Sequence, residues 1–294
     1  MATSARPSAE GAIAPATRMG TVRLTVSDMG RSRAFYEETL GLPARELEDG
    51  ELAFGAGRPL VALRADPGAP SLNRRATGLF HLAVLLPTRL DLARALARLV
   101  QTQWPLDGAS DHLVSEALYL SDPDGNGIEI YRDRPRDEWR RVDGQLQMAT
   151  LPLDLRNLAD ELAATSAPPS PAPAETTIGH VHLQVSELEQ IEAFYAGILG
   201  FDVIVRSYPG ALFVAAGGYH HHLGLNTWQS AGSAAPEPGA IGLSSYEVVL
   251  PDATELERVT ARISDAGLAV ETDSELGGSL VRDPSGNAVL LRTC

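Results

Sequence analysis

The seven histidines of this 294-residue chain fall in four short stretches. His81 opens FHLAVLLP, and His112 lies in SDHLVSEALYL, upstream of Glu129 in GNGIEIY. His180 and His182 alternate in IGHVHLQV, and His220, His221 and His222 form the run in GGYHHHLGLN. Imidazole nitrogens and a carboxylate are donors for a mononuclear metal site. Two imidazoles with one carboxylate leave positions open on the ion, which is the donor set of non-haem Fe(II) oxygen chemistry. A lone histidine on an apolar strand is more often a structural residue, but Glu129 changes that balance. In a strand, Glu129 faces away from Ile128 and Ile130, and burying it without a cationic partner is costly. A divalent cation or an arginine would relieve the cost. His180 and His182 share one strand face, so either can point at such a site.

Composition narrows the class. Apolar residues make up 44% and charged residues 21%, ordinary values for a globular protein. A net charge of −14 favours solubility and argues against nucleic acid as a partner. The single cysteine, Cys294, rules out an intrachain disulfide and points to a reducing cytoplasm. No apolar run approaches the roughly 20 residues of a membrane span, so no membrane partner is expected. Residues 1–18, rich in Ala, Pro, Ser and Gly, lack the apolar core of a secretory signal and read as a disordered tail.

The elements that must position the histidines repeat. ATSAPPSPAPAET is read as a proline-rich linker over 164–176, dividing a two-module domain at 19–163 from another at 177–294. Placing Val26 over Val185 superposes Ala34-Phe35-Tyr36 on Ala193-Phe194-Tyr195, and Leu40-Gly41 on Leu199-Gly200. Each copy opens with an alternating strand, continues into a helix carrying AFY, ends that helix at Gly, and goes on in apolar strands such as ELAFGAG and HHHLGLN. A second pair, HLAVLLPT and SYEVVLPD, leads into amphipathic helices and closes with YLSDPDGNGIEIY and LVRDPSGNAVLLR. The Asp-Pro-x-Gly-Asn turn suits a tight connection between antiparallel strands. Four strand–helix–strand–strand–strand modules follow, at roughly 19–76, 77–150, 177–238 and 239–294. Repetition at this period calls for paired modules.

This pattern resembles the vicinal oxygen chelate superfamily, which includes glyoxalase I, bleomycin-resistance proteins and extradiol dioxygenases. GASDHLVSEALYLSDPDGNGIEIYRDRP and GGYHHHLGLN resemble the four-module bacterial catechol 2,3-dioxygenases in particular. The resemblance implies an α+β fold of four βαβββ modules paired into two curved mixed-sheet half-barrels. It also implies metal ligands from the first and last strands of a module. Module one offers Thr21 and module four Ser245 and Leu290, which form no site. Module two offers His81 and Glu129, and module three offers His180. Only these three complete a two-His-one-carboxylate set, which implies that module two pairs with three and module one with four. Familiar extradiol enzymes often draw all three ligands from their last two modules, so the chain departs from that arrangement.

The same resemblance implies Fe(II), with Mn(II) accepted by the same donors, and a small aromatic diol and O2 as substrates. It assigns acid–base catalysis to His221, a substrate hydrogen bond to Tyr119, and a further pocket role to His112. His220, His222, His182 and Trp228 stand as substrate-binding candidates. Ring opening beside the two hydroxyls, with both oxygen atoms incorporated, is the expected outcome. Two alternatives stay open: a glyoxalase-like isomerase or lyase, which needs a fourth protein ligand, and a metal-free protein binding an aromatic drug. A homo-oligomer is open as well.

Overall fold

The computed structural model describes residues 11–47, 50–163 and 170–293. Module one runs β1 (Arg18–Val26), α1 (Met29–Ala34), β2 (Ala44–Glu46), β3 (Leu52–Phe54) and β4 (Val61–Ala65). Module two runs β5 (Gly78–Leu85), α2 (Arg89–Gln101), β6 (Gly108–Asp111), β7 (Ser115–Ser121) and β8 (Gly127–Asp133). Short strands β9 (Arg141–Val142), β10 (Gln145–Leu146) and β11 (Leu151–Pro152) and helix α3 (Leu155–Ala163) precede the proline-rich stretch. Module three holds β12 (Thr177–Gln184), α4 (Leu188–Glu192), β13 (Asp202–Val205), β14 (Ala211–Ala215) and β15 (Leu223–Asn226). Module four holds β16 (Gly242–Leu250), α5 (Ala253–Asp265), β17 (Glu271–Asp273), β18 (Gly278–Arg282) and β19 (Ala288–Thr293).

Local chemistry sets these elements. The side chains of Asp28, Thr88 and Asp252 accept the Arg31, Asp91 and Glu255 amides and cap α1, α2 and α5. The AFY segments follow α1 and α4 in π turns and bury Phe35, Tyr36, Phe194 and Tyr195. Each Asp-Pro-x-Gly-Asn turn is built around its aspartate. Asp122 accepts the Asp124 and Asn126 amides and the Asn126 side-chain NH, and Asp283 does the same with Ser285 and Asn287. Gly125 and Gly286 take φ of 90° and 87°, a region glycine enters without penalty. The AFY tyrosines lock these turns from the preceding module: Tyr36 donates to Asp122 at 3.2 Å and Tyr195 to Asp283 at 2.9 Å.

Two sheets result. One has the order β17-β18-β19-β16-β1-β4-β3-β2, and the other β11-β6-β7-β8-β5-β12-β15-β14-β13. Within each module the first strand lies parallel to the last; between modules β1 runs antiparallel to β16, and β5 to β12. Each curled mixed sheet is thus a half-barrel joining modules across the proline-rich stretch, one with four and two with three. The division at 164–176 separates the modules in sequence but not in the sheets. The core, including Leu24, Leu63, Leu183 and Val289, runs continuously through all four modules.

Two segments expected to be loose are docked. Of the tail expected over 1–18, residues 1–10 lie outside the described residues, as do 164–169 of the linker. Ile13, however, is buried and donates its amide to Gly200 O, while the Ala14 amide reaches Glu255. Ala172 is buried with its amide on Gly41 O, and Arg98 donates to Ser170 O. Composition missed these contacts because each depends on a partner more than 70 residues distant or on the far module.

The strand pair carrying the histidines is irregular. The β5–β12 register shifts at Gly179 and again at Phe80, inserting one residue on each strand. At Gly179 a Cβ would lie 1.8 Å from the Tyr131 hydroxyl. Gly179→Ala is therefore expected to destabilise the fold by about 1–3 kcal/mol, the usual cost of overpacking. Urea unfolding measures it, and because His180 follows directly, metal retention after gel filtration should fall in parallel.

Candidate metal centre

Three neighbouring strands bring the candidate ligands together. Ala83 on β5 pairs with Glu129 on β8 and with His180 on β12, forming one row across the sheet. His81 lies one pleat along β5 on the same face as Ala83, whose small side chain leaves room above the row. His81 Nε2 and His180 Nε2 both approach the same oxygen, Glu129 Oε2, at 3.0 and 3.1 Å. All three residues are buried, and their ligand atoms lie within 4.8 Å of one another.

The donor set fits a divalent cation. His81 Nε2 is buried and close to Glu129 but lacks an aligned hydrogen bond, as a nitrogen aimed at an ion would. Burial opposes the Glu129 charge, yet the two imidazoles hold its carboxyl well below the usual range. Burial pushes His180 down to about 4 against the pull of Glu129, so at neutral pH it offers a lone pair. An ionised carboxylate and unprotonated imidazole are the forms that bind a metal.

The centre opens into a cavity of about 760 Å³. His81, Glu129, His180, His112, Tyr119, His182, His221 and Trp228, eight of the residues singled out from the sequence, all line it. A larger hollow of about 1070 Å³, bounded by Arg141, Glu192, Asp202 and Gly218 among others, contains no histidine. The candidate ligands and the cavity histidines face the smaller one.

His182 stands beside the centre, its ring 4.9 Å from that of His81, with Nε2 buried and unpartnered. Burial, then the neighbouring His81 and His180, drive it well below the ordinary histidine range. His112 holds Tyr119 in place. Its Nδ1 lies 2.8 Å from Ala149 O, a pure acceptor, and so carries the proton. Its Nε2 then accepts the Tyr119 hydroxyl at 2.7 Å. The Glu129 carboxylate is a second acceptor for the same hydroxyl, so the single phenol proton is shared between His112 on one side and the centre on the other. Burial and the Glu129 charge both raise the Tyr119 pKa, keeping it a phenol.

The histidine run departs from expectation. Only Leu223–Asn226 is strand, and His220, His221 and His222 occupy the preceding connection. His221 lines the cavity, its ring 4.1 Å from His180. His220 and His222, expected to bind substrate, do not line it. His220 is fully buried between His221 and Asp133, and His222 turns back to accept the Ala216 amide at 3.1 Å. A bend, unlike a strand, does not alternate its side chains between two faces. Trp228 lines the cavity and is 44% exposed, near Phe80 and Tyr208.

Several cavity residues escaped sequence reasoning. Phe80 lines it beside His81 because the bulge re-aims one of two consecutive side chains. Phe213, Tyr208 and the segment Gln145–Thr150 join from elements whose course no local pattern encodes. Tyr131 and Asp133, which do not line the cavity and were not singled out from the sequence, did carry a local signal: they follow Glu129 at intervals of two and so share its face of β8.

A family model described as the Glyoxalase/Bleomycin resistance protein/Dioxygenase superfamily matches residues 18–130 and 177–291, and the chain belongs to that superfamily. Among its relatives, Catechol-2,3-dioxygenase of Bacillus subtilis (strain 168) is 44% identical over 281 residues, covering 93% of this chain and 96% of that protein. Solved structures agree on the fold. A Bacillus subtilis protein described as a dioxygenase matches with a TM-score of 0.65 at 14% identity, over 94% of this chain and 84% of its own. Glyoxalase I from Zea mays gives 0.55 at 17%, over 94% and 92%. No helix among the described residues is long and apolar enough to cross a membrane.

The buried imidazoles set a pH dependence. Burial holds His180 at about 4 and His222 at about 3, whereas unfolded histidine titrates near 6.5. Between roughly pH 6.5 and 4 the unfolded chain takes up protons that the folded chain refuses, so stability falls with pH. The slope per imidazole reaches about 1.4 kcal/mol per unit. Urea midpoints of the metal-free protein at pH 7, 6 and 5 should decline, less steeply in His222→Gln; equal slopes would count against it.

Proposed function

We propose that the chain is an extradiol ring-cleaving dioxygenase, incorporating both atoms of O2 into a catechol-type diol at an Fe(II) centre held by His81, Glu129 and His180. The reading is carried by one observation: two imidazole nitrogens converge on one buried carboxylate oxygen at the floor of an aromatic-walled cavity. The similarity to a catechol 2,3-dioxygenase along nearly the whole chain supports it. The donor set admits Mn(II) as well. Among the described residues no fourth His, Cys, Asp or Glu joins the three, which disfavours a glyoxalase-type isomerase.

The cation would supply Lewis acidity and an electron path between diol and oxygen. The protein does the rest. Phe80, Phe213 and Trp228 wall the cavity with flat apolar surface suited to an aromatic ring. Tyr119, held by His112, hydrogen-bonds a substrate hydroxyl. His221 takes a hydroxyl proton as general base and returns it later as general acid. His182 offers its unpartnered Nε2 to the bound diol. In the net reaction one ring carbon–carbon bond beside the diol breaks and O2 adds one oxygen atom to each carbon of that bond, giving a single open-chain product that carries a carboxylate and a carbonyl, with release of a proton.

Metal analysis of anaerobically purified protein, with oxygen uptake on catechol, tests this. Iron or manganese with one O2 consumed per ring opened is expected, and Glu129→Ala should lose both metal and uptake. Zinc or nickel without uptake would favour an isomerase, and a metal-free preparation that binds catechol would indicate a binding protein.

A further inference from the structure

A carboxylate oxygen only accepts hydrogen bonds. Asp133, two pleats along β8 from Glu129, lies 2.9 Å from His220 Nε2 and accepts the Tyr219 hydroxyl at 2.9 Å. His220 must therefore carry its proton on Nε2. As a neutral ring it then presents a bare Nδ1, 2.7 Å from Nδ1 of His221. Two facing lone pairs at that distance would repel, so His221 carries its proton on Nδ1 and donates. Every other arrangement with one proton per ring sets an unprotonated nitrogen against another lone pair or against the carboxylate. The one consistent arrangement leaves His221 Nε2 bare, on the far side of a ring that lines the cavity.

We infer that Asp133, acting through His220, fixes His221 in its Nδ1–H tautomer, so that Nε2 stands as the basic lone pair facing the substrate. Asp133 does not line the cavity and is a positioning residue. Its surroundings hold the chain of bonds rigid. Since the Tyr219 proton goes to Asp133, Tyr131 donates to Tyr219 at 2.8 Å. The fully buried His220 ring packs 4.0 Å from Tyr219 and 5.4 Å from Trp139. The use of the lone pair as a base rests on the dioxygenase reading, while the tautomer itself does not.

Nitrogen-15 NMR of histidine-labelled, metal-free protein reads the tautomer directly, with the His221 signals identified by their loss in His221→Gln. The expected wild-type pattern is a protonated Nδ1 and an unprotonated Nε2. His220→Phe, which keeps a ring between Tyr219 and Trp139, and Asp133→Leu, which keeps the side-chain shape, should each abolish that pattern. In the iron-loaded protein both variants should retain metal and KM but lose kcat by about 10–100-fold, as outer partners of a metal site typically do. A wild-type His221 protonated on Nε2, or variants that keep the original pattern, would overturn the inference. If the tautomer is as stated but the wild type consumes no oxygen with a diol, the dioxygenase reading fails and the tautomer assignment stands.

Discussion

The site depends on how a carboxylate is buried without a guanidinium. Other deeply buried glutamates in the chain are neutralised by arginines. Glu116 is held by Arg89, Arg132 and Arg134, and Glu247 by Arg23 and Arg292. Glu129 is as buried as either, yet among the described residues its ion-pair partners are His81 and His180. Burial drives His180 toward its neutral form, so these partners, unlike a guanidinium, bring no fixed positive charge to the carboxylate. A divalent cation held by the three residues would supply that charge and would also take up the unpartnered His81 nitrogen.

The duplicated architecture shows what the site requires by showing the same sheet without it. On the second half-barrel Thr21 stands where His180 stands, Ser245 where His81 stands, and Leu290 where Glu129 stands. The counterpart of Ala83 is Glu247, which accepts the Thr21 amide and pairs with Arg23 and Arg292. A metal site on one face and an ion-pair cluster on the other thus occupy equivalent places. The bulge glycines also correspond: Gly20 admits Glu247 as Gly179 admits the Tyr131 hydroxyl. The two half-barrels share a backbone solution, and the residue at the position of Ala83 decides whether space or charge occupies its centre.

Much of this was legible in the chain because it is written locally. The AFY helices, the Asp-Pro-x-Gly-Asn turns and the alternating strands each carry short-range signals, and the repeat fixed the module boundaries. The convergence of His81, Glu129 and His180 was legible because only one combination across the modules supplied two imidazoles and a carboxylate, and that combination required the pairing two with three seen in the sheet. What was not legible is non-local or irregular. The His220–His222 run reads as strand by composition, but Gly217 and Gly218 at positive φ turn the chain before it, so its side chains take their directions from partners such as Asp133 and Ala216. Phe80 faces the cavity only through a bulge, and the docking of Ile13 depends on Gly200 and Glu255 in the distant module.

The proton directions around the cavity add a constraint that distances alone do not give. Tyr119 stands between two acceptors, His112 Nε2 and the Glu129 carboxylate. His221 is obliged to spend its proton on His220, because Nε2 of that ring is committed to Asp133. On the His221 flank of the centre, then, a carboxylate outside the cavity forces a lone pair into it. The cavity walls as a whole are mixed in character: beside the His221 lone pair and the Glu129 carboxylate, Arg206, Gln145 and Gln147 bring N–H donors to the same space. A ligand that suits such walls carries donors and acceptors together on an otherwise apolar body, so the polarity of the walls constrains its orientation as much as its identity.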